Sequence, residues 1–314
     1  MTSDAPLALD TAVFTRGLQS VAGAEPRLNG IDLDILSGEV FAIVGRAGSG
    51  TTALLESLVG LRRCRADQLI VCGADLRRGE AMVKQHIGVA TPRCAAVERH
   101  LRVEEALELF AYFYERPSSI SSVLALLNLT AVRRQTVDSL APSLSQRFWL
   151  ALALVNDPVV LFADEPLRDL DPDSTELVWR LLRDRHARGQ TTVMVTNHLP
   201  DAERADRVAI VEGGRLVAVD TPAALVARSA APVRVVFDLP RPELDLETLR
   251  GLDGTTGVVA RRQDVYTLSS VDGFATMRAL IRFLDVLNVR PRSLMMQRPS
   301  LQDVFFELTG GGLQ

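Results

Sequence analysis

VFAIVGRAGSGTTA, residues 40–53, is the stretch whose reading decides the fold. Its first five residues are uninterruptedly apolar, the composition of a strand buried on both faces. Gly45, Gly48 and Gly50 then break the run. From Thr52 onward, Leu54, Leu55, Leu58 and Val59 recur at helical spacing. The stretch reads as strand, glycine loop and helix.

Successive backbone N–H groups in such a loop, with the positive end of the helix behind them, make a cradle for phosphate that asks for no particular side chain. The complete pattern, G-x-x-x-x-G-K-[ST], adds a lysine that reaches the outer phosphates and a hydroxyl that holds Mg²⁺. Here Gly45, Arg46, Ala47, Gly48, Ser49 and Gly50 form the loop, Thr52 takes the hydroxyl position and Ala53 follows it, but the lysine position is Thr51. Arg46 brings a charge into the loop, at a position that usually points away from phosphate. The plain alternative is a glycine turn in an ordinary α/β domain.

The downstream sequence argues against that alternative. Asn156-Asp157-Pro158 ends an apolar helical stretch at 148–155, and residues 159–163, VVLFA, form a second strand-length apolar run. Asp164 and Glu165 follow at its carboxyl end, where open α/β sheets place their ligands. A helix over 173–188 leads to a third buried strand at 190–196. His198 comes two residues later, which makes it a candidate for the γ-phosphate. Between the loop and the acids, apolar residues keep helical spacing over 103–114 and 122–129, so an all-helical insert is expected at about 95–150. Residues 7–14, 31–36, 68–73 and 87–90 read as further strands, with the Gly/Pro-containing segment 17–30 between the first two. A hairpin is expected over 207–212 and 215–219, then a last helix from Thr221-Pro222 to about 228.

Composition shifts at 229–232, a small-residue linker. Strands at 233–239, 257–261, 265–269 and 294–297, with helices at 273–287 and 300–308, then make a small α+β domain without a catalytic constellation. The expected domains are thus 1–230 and 231–314. At 314 residues and 47% hydrophobic composition the chain can supply a core to each. A net charge of -4 gives no electrostatic reason to expect nucleic acid. The N-terminus lacks a basic segment ahead of an apolar one, and the longest apolar runs fall short of the ~18 to 20 residues that span a bilayer. The expectation is a soluble chain, or one attached to a membrane through a partner. Cys64, Cys72 and Cys94 are odd in number and form no C-x-x-C pair, which suits a reducing cytosol and argues against a metal site.

Over residues 7–228 these motifs together resemble the nucleotide-binding subunit of an ATP-binding cassette (ABC) transporter. The resemblance implies an α/β fold of the P-loop NTPase type with a helical subdomain. VVLFADEP, 159–166, is similar to the Walker B strand: Asp164 would hold Mg²⁺ and Glu165 would polarise the attacking water. LRDLDP, 167–172, is similar to the D-loop, and residues 194–222 to the segment that places His198 in the switch position. PSLQDVFFELTG, 299–310, resembles the end of the C-terminal domain of drug-exporter ATPases, including the daunorubicin-resistance group. That implies a permease partner of the ABC-2 kind and a place at the cytoplasmic face of the cell membrane.

Departures from the family pattern are as specific as the matches. The lysine is Thr51. The glutamine loop, usually IGYxPQ, reads IGVATP, with Pro92 where glutamine falls. The signature LSGGQ reads LAPSL at 140–144, without either glycine, and no aromatic stands near Val21 or Ala22 to stack on adenine. In this family ATP lies between the glycine loop of one subunit and the signature of its partner. A homodimer would have two sites defective on both sides, and a heterodimer with another ABC ATPase two sites each defective on one. Two readings stay open: a subunit that binds ATP and hydrolyses it slowly to drive export, and a non-catalytic subunit that scaffolds a permease or an active partner ATPase.

Overall fold

The computed structural model describes residues 11–21, 23, 25–91, 97–239, 244–262 and 265–310. In chain order the first elements are β1 (Thr11–Ser20), β2 (Asn29–Leu36), β3 (Val40–Val44), α1 (Thr51–Leu58), β4 (Cys64–Arg65), β5 (Gln68–Val71), β6 (Ala74–Asp75), α2 (Glu80–His86) and β7 (Ile87–Ala90). The helical insert follows as α3 (Val103–Ala111), α4 (Ile120–Leu126) and α5 (Pro142–Leu154). Then come β8 (Val160–Asp164), α6 (Pro172–Ala187), β9 (Thr191–Thr196), α7 (Leu199–Ala202), β10 (Arg207–Glu212), β11 (Arg215–Asp220) and α8 (Pro222–Arg228). The last part holds β12 (Val233–Asp238), α9 (Leu246–Arg250), β13 (Thr255–Arg262), β14 (Val265–Ser270), α10 (Gly273–Val286), β15 (Ser293–Gln297) and α11 (Leu301–Thr309).

The chain divides into two compact units, one reaching Pro222 and one starting at Ala223. In the larger unit a six-stranded sheet runs in the order β11-β10-β3-β9-β8-β7. All neighbours are parallel except the β10–β11 hairpin at the edge. The continuous apolar runs read in the sequence are its inner strands, because strands covered on both faces need no polar alternation. Every residue of β3 and β9 is buried. Phe41 and Phe162 are wholly so, each contributing about 1.5–3 kcal/mol of apolar burial. Leu54, Leu55 and Leu58 of α1 belong to the same core.

A second sheet of the larger unit pairs β2-β1-β5-β6 antiparallel, with β4 against β1. Here the expected end of the first strand at residue 14 is corrected, since β1 continues to Ser20, into the Gly/Pro-containing segment. Gly17 lies at a register irregularity with φ 61, and its N–H donates to Asp32 Oδ1 at 2.7 Å, so the glycine bends the strand instead of ending it. Residues 7–10 of the expected first strand, as well as Ala22, Pro92 and Cys94, lie outside the described residues.

The smaller unit is an antiparallel sheet in the order β13-β14-β12-β15. Its chain order from β12 to β15 is strand, helix, two strands, helix, strand, the split β-α-β arrangement. Val235, Phe237, Tyr266, Leu268, Leu280 and Leu284 form its core, with Phe237 stacked on Tyr266 at 5.1 Å.

Candidate functional site

β3 is flanked by β9 and β10 and ends at the glycine loop, so the sheet holds that loop at the carboxyl end of its strands. Gly48 has φ 82 and Gly50 φ 105, conformations that side chains disfavour. At Gly45 an added Cβ would meet Ser49 Oγ at 2.2 Å and the Val211 carbonyl oxygen at 2.6 Å, so only glycine lets the chain turn there. Ser49 N–H closes the turn on Arg46 O at 2.9 Å. No side chain of the described residues caps α1, so its first-turn N–H groups are available to an anion.

Opposite the loop stand the acids of β8. Thr52 Oγ1 donates to Asp164 Oδ2 at 3.1 Å across the start of α1. Glu165, at φ 52, is held by its N–H to Val195 O at 2.9 Å. Its Oε1 accepts from Asn197 N–H at 3.1 Å and lies 3.5 Å from Arg168 Nη2. Burial pushes the Glu165 carboxyl up from its ordinary value; Arg168 and the Asn197 N–H work against that shift, and the charges of Asp164 and Asp201 add to it. Gln146 of α5 donates from Nε2 to Glu165 O at 3.0 Å.

Gly45, Arg46, Ala47, Gly48, Thr51, Thr52, Asp164 and Glu165 thus line one cavity of about 280 Å³. Ser49 and Ala53 do not line it: both are buried, and Ser49 Oγ has no hydrogen-bond partner among the described residues. Gly50 acts through the backbone as the residue before α1. His198 faces an adjoining cavity of about 310 Å³ that shares Glu165, Arg168 and Asn197 with the first. Its ring Nδ1 lies 2.8 Å from Asp201 Oδ2. Sequence reasoning missed Gln146, Arg168 and Asn197. Arg168 and Asn197 stand four residues and one residue past a strand's carboxyl end, which was the available signal; Gln146 had none.

The segment at 140–144 starts α5, with Pro142 as its first residue. Ser143 Oγ donates to Asp171 Oδ2 at 2.8 Å. Asp171, the residue capping α6, also accepts from Ser174 N–H at 2.8 Å and Ser174 Oγ at 2.7 Å. These hydrogen bonds, the Ser174 hydroxyl first, hold the Asp171 carboxyl far below the usual carboxylate range.

A parallel sheet with a glycine loop on its central strand, an uncapped helix behind that loop and a hydroxyl–carboxylate pair before it defines the phosphate-loop class of nucleotide-binding domain. The profile of the family described as ABC transporter matches residues 28–168. The daunorubicin resistance ATP-binding protein DrrA2 of Streptomyces coeruleorubidus is 30% identical over 308 residues, covering 95% of each chain. The Nod factor export ATP-binding protein I of Paraburkholderia xenovorans (strain LB400) is 29% identical over 300 residues, 93% of this chain and 95% of that one. The chain belongs to the ABC transporter family of ATP-binding subunits. Among solved structures, a dimeric post-hydrolysis state of an ATP-binding cassette bound to ADP and Pi matches with a TM-score of 0.59 at 21% identity, over 67% of this chain and 98% of that one.

Proposed function

We propose that this chain is the ATP-binding subunit of an ABC-type exporter, working at the cytoplasmic face of the membrane with a permease of the ABC-2 kind and as a dimer. The observation that carries the nucleotide reading is the Thr52 Oγ1 to Asp164 Oδ2 contact of 3.1 Å, set before the uncapped start of α1 with Glu165 next in the chain. A hydroxyl and a carboxylate are hard oxygen donors of the kind Mg²⁺ takes, with phosphate oxygens and water completing its shell. Among the described residues no cluster of three or more His, Cys, Asp or Glu side chains could hold a metal alone, which fits an ion that arrives with its nucleotide. The glycine cradle, with Gly48 and Gly50 in left-handed conformations and no room for a Cβ at Gly45, fits a phosphate chain. In this reading Gly45 to Ala53 bind the phosphates, Thr52 and Asp164 hold Mg²⁺, Glu165 polarises water and His198 senses the γ-phosphate.

Export is supported by the name of the Nod factor export relative, which is matched over 93% of this chain and 95% of that one. No described helix is long and apolar enough to cross a membrane, so the path belongs to the permease in this reading. An apolar groove of about 470 Å³, lined among others by Lys84, Ile87, Phe110, Phe113 and Trp149, is one surface on which we seat that permease, and the exposed apolar residues of the smaller unit are a second surface for association.

A second reading, a non-catalytic subunit that scaffolds the permease or an active ATPase, is favoured by Thr51 and by Pro142 and Ser143. A lysine ammonium about 4 Å from a phosphate charge at an effective dielectric of about 20 is worth roughly 4 kcal/mol, and Thr51 lacks it. Calorimetry with MgATP and MgGTP tests the nucleotide site. Weak binding with little preference for adenine is expected; low-micromolar affinity with clear ATP selectivity would show that both losses are misjudged, and no binding of either nucleotide would leave the scaffold reading.

A further inference from the structure

We infer that Arg168 supplies the positive charge toward the outer phosphate of a bound nucleoside triphosphate that Thr51 cannot. The inference rests on the nucleotide reading above and names one more residue of that site. Arg168 lines the same cavity as Gly48, Thr51 and Thr52. It stands three residues beyond Glu165, in the connection from β8 to α6, and its position there is fixed. Its N–H donates to Glu165 O at 3.1 Å, and non-glycine residues on both sides of it are left-handed, Glu165 at φ 52 and Asp169 at φ 60. Backbone held in such conformations is commonly found where a side chain must be aimed at a ligand.

The head group is free to turn. Its side chain is 54% exposed, and its one ion pair among the described residues, to Glu165 Oε1, spans 3.5 Å. A partly exposed pair of that length is weak and screened, whereas a guanidinium meets a phosphate through two parallel N–H bonds. An incoming triphosphate therefore outcompetes Glu165 for Arg168. The exchange leaves the Glu165 carboxylate without its cation at the moment the γ-phosphate arrives. Arg46 lines the cavity too, but its Nε is sealed from solvent, so its head group has less freedom to follow the ligand.

The test is direct binding of MgATP and MgADP, by calorimetry, to the full chain and to Arg168→Ala, Arg168→Lys, Arg46→Ala and Thr51→Lys, alone and combined with Arg168→Ala. Thermal melting confirms that each variant folds. Arg168→Ala should weaken MgATP by about ten- to a hundredfold, the span of one charged hydrogen bond, and leave MgADP nearly unchanged. Arg168→Lys should keep most of the affinity, and Thr51→Lys should shrink the loss because a second cation then covers the same phosphate. MgATP binding untouched by Arg168→Ala, or a larger loss from Arg46→Ala, overturns the assignment while leaving the nucleotide reading intact. An equal loss of MgATP and MgADP also overturns it, since the effect is then on the loop and not on the outer phosphate. No nucleotide binding by the unaltered chain removes both.

Discussion

Burial and charge oppose each other at Glu165. The carboxyl is raised above its ordinary value of 4.5 chiefly by desolvation. The ionised group therefore costs the fold stability at neutral pH, and below the unfolded value, where both states are protonated, the cost vanishes. Glu165→Gln should accordingly melt higher than the unaltered chain at pH 7 to 8, with the gap closing on acidification; equal melting curves at neutral pH would mean that the site is better solvated than its contacts indicate. In the hydrolysing reading, the same variant should bind nucleotide yet release no phosphate, and His198→Ala should release it more slowly. Steady-state phosphate assays on all three chains decide this, since equal rates would assign the hydrolysis elsewhere. Thr52, Asp164 and Glu165 were legible in the sequence because each follows a glycine loop or an apolar strand at fixed spacing. Gln146 was not, because it reaches Glu165 from a helix that sequence spacing cannot dock against β8.

Elements were legible where apolar periodicity was strong. The inner strands of the parallel sheet and the long helix α6 appear within a few residues of their expected bounds. The helices α2 and α9 escaped because they are short, with Val83 and Leu249 their single buried residues. Sequence reading could also not find the contact that docks the helical insert. A Cβ at Gly88 of β7 would lie 1.9 Å from the Ala153 carbonyl oxygen of α5. Gly88→Ala must push that helix off the sheet, and overpacking of this kind costs about 1–3 kcal/mol. Urea unfolding measures it, and an unchanged midpoint would show that the two elements separate freely. At the start of α6, Asp171 joins two helices through Ser143 and Ser174. Its carboxyl is lowered from 3.8, so its stabilisation is present above that value and is lost as pH falls. Asp171→Ala should melt lower than the unaltered chain at pH 7, and the difference should narrow in acid; identical melting at pH 7 would make the network dispensable.

For the molecule as a whole, the sequence did not show which apolar residues each of the two units keeps for itself. Phe274, Met277, Ile281 and Leu284 recur at helical spacing along α10, yet Leu284 is in the core and Met277 packs against it, while Phe274 is 65% and Ile281 43% exposed. In α11, Val304 and Phe305 are buried and Leu308 is 40% exposed. The exposed remainder is the surface we assign to association. A chain ending after Arg228 should keep the nucleotide affinity of the full chain and lose its dimer or its hold on the permease. Light scattering and co-purification test this, and intact assembly with lost nucleotide binding would reverse the roles of the two units. The sheet order has a further consequence, for synthesis. β3 carries the glycine loop, yet its partners arrive late: Val40 pairs with Thr192 and Phe41 with Arg207. While the ribosome makes the helical insert, the most apolar strand of the nascent chain has both edges open, and contacts so distant in sequence form slowly. Chains stalled before Thr191 should be cut by protease within residues 40–53, and chains stalled well past Glu212 should resist, so the cell must shelter this strand for most of the time that the chain is being made.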